Sequence, residues 1–197
     1  MKQFKKLASL LLAAVLAMTL LAGCGGRGGN VGTAVTEQSI LKYINESRKA
    51  ANMGLSPVKN DPTLANTAAK LLEEFSKTPA KTDYGTGYKM TKTAAEDILH
   101  TATGKRSQEI KSLYDMHNGS FFYLAPIGIS TTADLYLLHR GDKVFDSMNH
   151  INGYINSIEY FCPDMAIMAS DVKVGIAFRE IKGERFALLV YDVTITT

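Results

Sequence analysis

The chain has 197 residues, of which 46% are hydrophobic and 21% charged. That is ordinary globular composition, and it excludes a collagen-like, disordered or multi-span membrane protein. The length favours one domain, with enough chain to bury a core without disulfide or metal staples. The formal charge of +3 comes from the N-terminus: setting aside Lys2, Lys5 and Lys6 leaves 19 of the 22 basic side chains, equal to the 19 acidic ones. A neutral remainder argues against nucleic acid or an acidic lipid surface as partner, because both are held by clustered Lys and Arg.

Residues 1–23 read as an export signal. Met1 to Lys6 is a basic segment without an acid, and Leu7 to Leu20 is an apolar run broken only by Ser9 and Thr19. A run this short, with positive charge before it and small residues after it, predicts a cleaved secretory signal rather than a spanning helix. Leu21-Ala22-Gly23-Cys24 resembles a bacterial lipobox, which implies a diacylglycerol on the Cys24 sulfur and Cys24 as the new N-terminus. Two or three acyl chains hold a protein on a bilayer stably, where a single chain does not. The expected partner of Cys24 is therefore the bacterial cell membrane, with the domain on its extracytoplasmic side. Gly25 to Gly32 holds five Gly in eight positions, and residues 24–35 read as a flexible tether. With Cys24 acylated, Cys162 is left without an intrachain disulfide partner, and its Tyr160-Phe161 and Pro163 neighbours read as a buried, inert thiol.

Residues 36–197 then read as one domain. Thr36 to Met53 predicts a helix capped by Thr36, with Ile40, Leu41 and Ile44 on one face and Gly54 as its stop. Leu55 to Asn60 reads as an extended connector. Asp61-Pro62 predicts a helix start, Asp as N-cap and Pro at the first position, where its missing N–H costs nothing. Leu64, Ala68, Leu71, Leu72 and Phe75 form the apolar stripe of that helix. Thr78 to Tyr88, rich in Gly, Thr, Pro and Lys, reads as loop. Thr93 to Leu99 reads as a short helix or turn, and Ser107 as the cap of another helix running through Ile110, Leu113 and Tyr114. Phe121 to Ala125 and Leu135 to Leu138 read as strands, and the Phe121-Phe122-Tyr123 run as core rather than a ligand platform. Val144, Met148, Ile151, Ile155 and Ile158 space as a helix weakened by Gly153. Val172 to Phe178 and Phe186 to Ile195 predict an antiparallel hairpin about the charged, Gly183-containing segment 180–185. Helices first and a hairpin last predict an α+β sandwich.

Several strings then resemble a known family. Ile40-Leu-Lys-Tyr-Ile-Asn-Glu-Ser-Arg48, Gly54-Leu-Ser-Pro-Val-Lys-Asn-Asp-Pro-Thr-Leu64 and Ala68-Ala69 resemble, in that order, the opening of the CAP superfamily. These are SCP-like extracellular domains related to cysteine-rich secretory proteins and plant pathogenesis-related proteins. Ile167-Met-Ala-Ser-Asp-Val-Lys-Val-Gly-Ile-Ala-Phe178 resembles their closing hairpin. The match covers residues 36–114 and 160–197, and is poor over 115–159. It implies an α–β–α sandwich around an antiparallel sheet, with a cleft of two His and two acids that sometimes holds a divalent metal. Ala94-Ala95-Glu96-Asp97-Ile98 stands where the family has Ala-Gly-Glu-Asn-Ile, so the resemblance gives Glu96 one cleft carboxylate, with Gly87-Tyr88 at a family Gly-Tyr. Phe75-Ser76-Lys77-Thr78 stands at the family's Phe-Ser-His-Thr, with Lys77 in place of the His, and a protonated ammonium cannot ligate a metal. Cys162 to Met168 stands at a family string whose His-Arg pair it lacks. The resemblance thus implies a cleft without its metal site, so no metal or cofactor is expected.

Of the four His, at 100, 117, 139 and 150, none forms an H-x-x-x-H or H-E-x-x-H spacing. His100 follows Glu96 by four residues and would share its face on a helix. Glu96 and Asp97 could do acid–base work, or Glu96 could be held by hydrogen bonds or paired with Lys77, leaving a salt bridge where a metal sits in relatives. Gly85-Thr-Gly87 lacks the third Gly and the following helix signal of a phosphate loop. The expectation is a lipid-anchored, non-enzymatic domain binding a small apolar ligand, a wall component or a protein. The alternatives are an extracytoplasmic hydrolase using Glu96 with a His from the middle region, and a structural or adhesive surface module.

Overall fold

The C-terminal hairpin organises the domain. In the computed structural model, residues 35–50, 57–82, 85–111, 119–129, 133–137 and 169–195 are described. Among the described residues there are three helices, α1 (Glu37–Ala50), α2 (Pro62–Phe75) and α3 (Lys92–Thr103), and seven strands: β1 (Pro79–Thr82) and β2 (Gly85–Thr91) between α2 and α3, then β3 (Gly119–Ala125), β4 (Ile127–Ile129), β5 (Asp134–Leu137), β6 (Ala169–Ile181) and β7 (Glu184–Ile195). Every strand pairing is antiparallel, in a three-stranded sheet of order β3-β7-β6 and a four-stranded sheet of order β1-β2-β5-β4. The chain is therefore mixed α+β with a terminal hairpin.

Strand β7 sits in the middle of the three-stranded sheet and is buried on both faces. Ala187, Leu189, Tyr191 and Val193 join Phe121, Tyr123 and Ala125 of β3 and Val174 and Ile176 of β6 beneath Ile40 and Ile44 of α1. The alternate residues Phe186, Leu188 and Val190 join Phe122 and Leu124 against Leu64, Ala68, Leu71, Leu72 and Phe75 of α2 and Ala95 and Leu99 of α3. A period-2 backbone sends successive side chains to opposite faces, so a strand covered on both sides must be apolar at consecutive positions. The hairpin closes at Lys182-Gly183, both left-handed (φ 53° and 82°), where Gly carries no steric penalty and the turn's twist matches the strands.

Polar groups fasten the helices to this sheet. Thr36 Oγ1 accepts from Ser39 N–H at 3.1 Å while Ser39 Oγ accepts from Thr36 N–H at 2.8 Å, a reciprocal cap. Asp61 Oδ1 accepts from Leu64 N–H at 3.0 Å, and Pro62 opens α2, as its sequence predicts. Asn45 in α1 donates to Val58 O at 2.9 Å and accepts from Val58 N–H at 2.7 Å, fixing the connector after the helix. That connector docks on β6 through Asp61 N–H to Val174 O (2.7 Å) and Ile176 N–H to Asn60 Oδ1 (3.0 Å). Arg185 donates to Val35 O at 3.0 Å and lies 4.2 Å above the Phe178 ring, holding the start of the domain at the hairpin end. Tyr88 of β2 meets Phe186 edge-on at 5.5 Å, joining the second sheet to the first.

Three expectations are corrected. Segment 78–88 forms the β1–β2 hairpin instead of a loop: Tyr88 and Met90 alternate inward about Lys89, whereas β1 is an exposed edge strand whose composition carries no apolar signal. Ser107 caps no helix; residues 108–111 are extended and Ile110 bridges Phe122 in parallel, because neighbouring side chains and β3 take the backbone groups a helix would need. The short helix over 93–99 is longer, from Lys92 to Thr103, with Thr91 as its cap. The α1 pattern ends at Ala50, while its extension to Met53 and the 144–158 pattern lie outside the described residues.

One contact sets how closely α2 can approach. A Cβ on Gly175 would collide with the backbone of Leu64 and Ala65 in the first turn of α2. Backbone cannot yield as a side-chain end can, so Gly175→Ala should cost at least about 2 kcal/mol. In thermal melts this is a fall of roughly 4–8 °C; an unchanged melting temperature would mean that α2 does not rest on β6 there.

Candidate functional site

Helix α3 presents the two residues singled out in the sequence. Its N-terminus is capped by Thr91 Oγ1 accepting from Ala94 N–H at 3.2 Å, and it stops at Gly104 (φ 73°). Glu96 and His100, four apart, lie one turn above the other and both reach the arm Gly104–Lys111 that follows the helix. Glu96 Oε1 accepts from Ile110 N–H at 2.9 Å and lies 3.7 Å from Lys92 Nζ. His100 Nε2 stands 2.6 Å from Gln108 O. A carbonyl only accepts, so that nitrogen must carry the proton and is not available as a base or metal ligand in this arrangement.

The arm is completed by β3 and β7. Lys111 N–H donates to Phe122 O and Phe122 N–H to Glu109 O, each at 2.9 Å. Asp192, 7% exposed, is the charged residue on the inward parity of β7 that follows Phe186, Leu188 and Val190. It receives Lys105 Nζ at Oδ2 (2.6 Å) and Gln108 Nε2 at Oδ1 (3.3 Å). A buried carboxylate without a counterion is costly, and here the arm itself brings the ammonium. Sequence reading missed Asp192, although its signal was present: a lone charge in an apolar run, two residues on from Val190 on the core-facing parity.

The structure brings Glu96 and His100 together and assigns Lys77 elsewhere. Lys77 Nζ pairs with Glu74 Oε2 at 2.6 Å on the surface, and that hydrogen bond and charge raise its pKa above the ordinary lysine value. The Lys77–Glu96 pairing is thus corrected: the cation near Glu96 is Lys92, one turn earlier on the same helix. The alternative in which hydrogen bonds hold Glu96 is the one observed. Gly85 to Gly87 lies in β2, and Phe121, Phe122 and Tyr123 are buried core, as expected. Cys24, Cys162, His117, His139 and His150 lie outside the described residues. Among the described residues no three His, Cys, Asp or Glu gather as a metal ion would require, and no helix is long and apolar enough to cross a membrane.

No protein-family model, curated protein or solved structure matches the chain.

If Glu96 acts as the acceptor for the arm, the two obvious substitutions should separate. Glu96→Gln keeps an oxygen for Ile110 N–H and should remain close to wild type in denaturant unfolding, whereas Glu96→Ala should lose about 1–2 kcal/mol. Equal stability of the two variants would remove this role.

Proposed function

We propose that the chain is a lipid-anchored, extracytoplasmic binding protein of a bacterial envelope, with a divergent CAP/SCP-like domain that recognises rather than cleaves. The anchor is Cys24, following the 1–23 signal and preceding a Gly-rich tether. The CAP reading rests on the quoted strings, and it is compatible with an antiparallel sheet covered by α1 on one face and by α2 and α3 on the other. The ligand class is a small apolar molecule, a wall component or a protein partner.

The observation that favours binding over hydrolysis is the use made of Glu96 and His100. An acid–base pair needs a free acceptor and a proton within reach of substrate. Both side chains instead have a structural use: Glu96 Oε1 and His100 Nε2 hold backbone groups of one segment, which leaves only Glu96 Oε2 and His100 Nδ1 for other chemistry.

Two measurements test this proposal. Bacteria expressing the chain with labelled palmitate should label it, and Cys24→Ala should abolish the label and release the protein from membranes. The purified domain should hold no stoichiometric metal. Its melting temperature should rise by several degrees with wall fragments or fatty acid, since ligand at 100 times Kd adds about 2.7 kcal/mol. Stoichiometric metal lost on Glu96→Ala, or hydrolytic turnover, would overturn the binding reading in favour of a hydrolase.

A further inference from the structure

We propose that the Gly104–Lys111 arm is a displaceable strap that occupies the domain's own peptide-binding face, and that the partner it imitates is a peptide segment in which a turn carrying a basic side chain leads into a short extended stretch. This deepens the binding reading by naming a partner class.

The arm turns at Lys105–Gln108, where Gln108 N–H donates to Lys105 O at 3.3 Å, and its Gln108–Lys111 stretch then presents backbone N–H and C=O groups to α3 and β3. Here Ile110 N–H goes to Glu96, Gln108 O to His100, and Glu109 O and Lys111 N–H to the two backbone groups of Phe122 on β3. This is main-chain recognition of the kind that adds a strand to a sheet edge, with one parallel bridge formed. Side chains are held as well: Lys105 Nζ reaches the carboxylate of Asp192 at 2.6 Å, Gln108 Nε2 reaches its other oxygen at 3.3 Å, and Ile110 enters the core. Acceptor, imidazole donor, strand edge and buried acid together form a receptor for a peptide backbone with an ammonium upstream, and the strap fills all four places in cis.

The strap is also imperfectly held. Gln108 is 5% exposed, yet its Oε1 has no hydrogen-bond partner among the described residues. A buried acceptor left unpaired weakens the closed state. From Gly104 to Lys111 only Gln108 and Ile110 are buried, so Ile110 is the one apolar side chain that must leave the core when the segment lifts, at a cost of about 1.5–3 kcal/mol. Lys105 keeps 40% of its side chain exposed and is open to competition from another ammonium.

The test is amide hydrogen exchange on the full chain in detergent, resolved at Ile110, Lys111 and Phe122 and compared with the β6–β7 ladder. The strap amides should exchange faster than the ladder. Lys105→Met should speed them by about tenfold or more while leaving the ladder unchanged, the signature of local opening. A synthetic peptide of the Gly104–Lys111 sequence, supplied at about 1 mM to match the effective concentration of a tethered segment, should then slow exchange at Phe122 in the Lys105→Met protein, and a scrambled peptide should not. If the carboxylate left without its ammonium unfolds that variant, Lys105→Gln, which keeps a side-chain donor and the Asp192 acceptor site, carries the same comparison. Strap and ladder exchanging in step, or an opened strap whose Phe122 amide the peptide fails to protect, would overturn the proposal. Either failure leaves the broader binding reading to its separate metal and thermal-shift tests.

Discussion

A carboxylate sits at the inner end of a strand that is otherwise wrapped in hydrocarbon, and the arrangement around α3 follows from it. Strand β7 is covered on both faces, so every inward position favours an apolar side chain; Asp192 breaks that rule. Its charge has to be met by something that comes to it, and the Gly104–Lys111 arm supplies Lys105 and Gln108. To deliver them the arm turns at Lys105–Gln108 before meeting β3 at Ile110, and α3 must end at Gly104 and direct Glu96 and His100 at the arm's backbone. Glu96 and His100, which look like chemistry in the sequence, are thus fastenings of one segment, alongside the Lys105 and Gln108 contacts to Asp192.

What could be read from the sequence divides along physical lines. The caps Thr36 and Asp61-Pro62, the α2 stripe from Leu64 to Phe75 and the terminal hairpin were legible because each depends on local chemistry or a strong period. The β1–β2 hairpin was not: an edge strand facing water needs no apolar residues, and Pro79-Ala-Lys-Thr82 has a loop's composition. Ser107 to Ile110 was misread for a related reason. Its apolar spacing fits a helix, yet its conformation is decided by acceptors and donors on α3 and β3 that lie elsewhere in sequence. The pairing given to Lys77 failed because a closer carboxylate, Glu74, lies three residues away.

The candidate site was half legible. Glu96 and His100 were found by position and spacing, and they do act on a common target. Their roles could not be read, since the target is backbone rather than a metal or a substrate. Asp192 carried its own signal, inward parity in an apolar strand, and is the residue from which the account now proceeds. Recognition through such groups suits a tethered binding domain: main-chain contacts supply affinity, and a buried acid selects charge.

The central claim is that Asp192 and Lys105 are energetically one unit. Denaturant unfolding of the wild type, Lys105→Met, Asp192→Asn and the double variant measures this directly as a double-mutant cycle. With Lys105 partly exposed, the coupling should be about 1–2 kcal/mol, and the double variant should be more stable than Lys105→Met alone. Additive effects, with the double variant no better than Lys105→Met, would show that the carboxylate does not depend on the arm and would contradict the account.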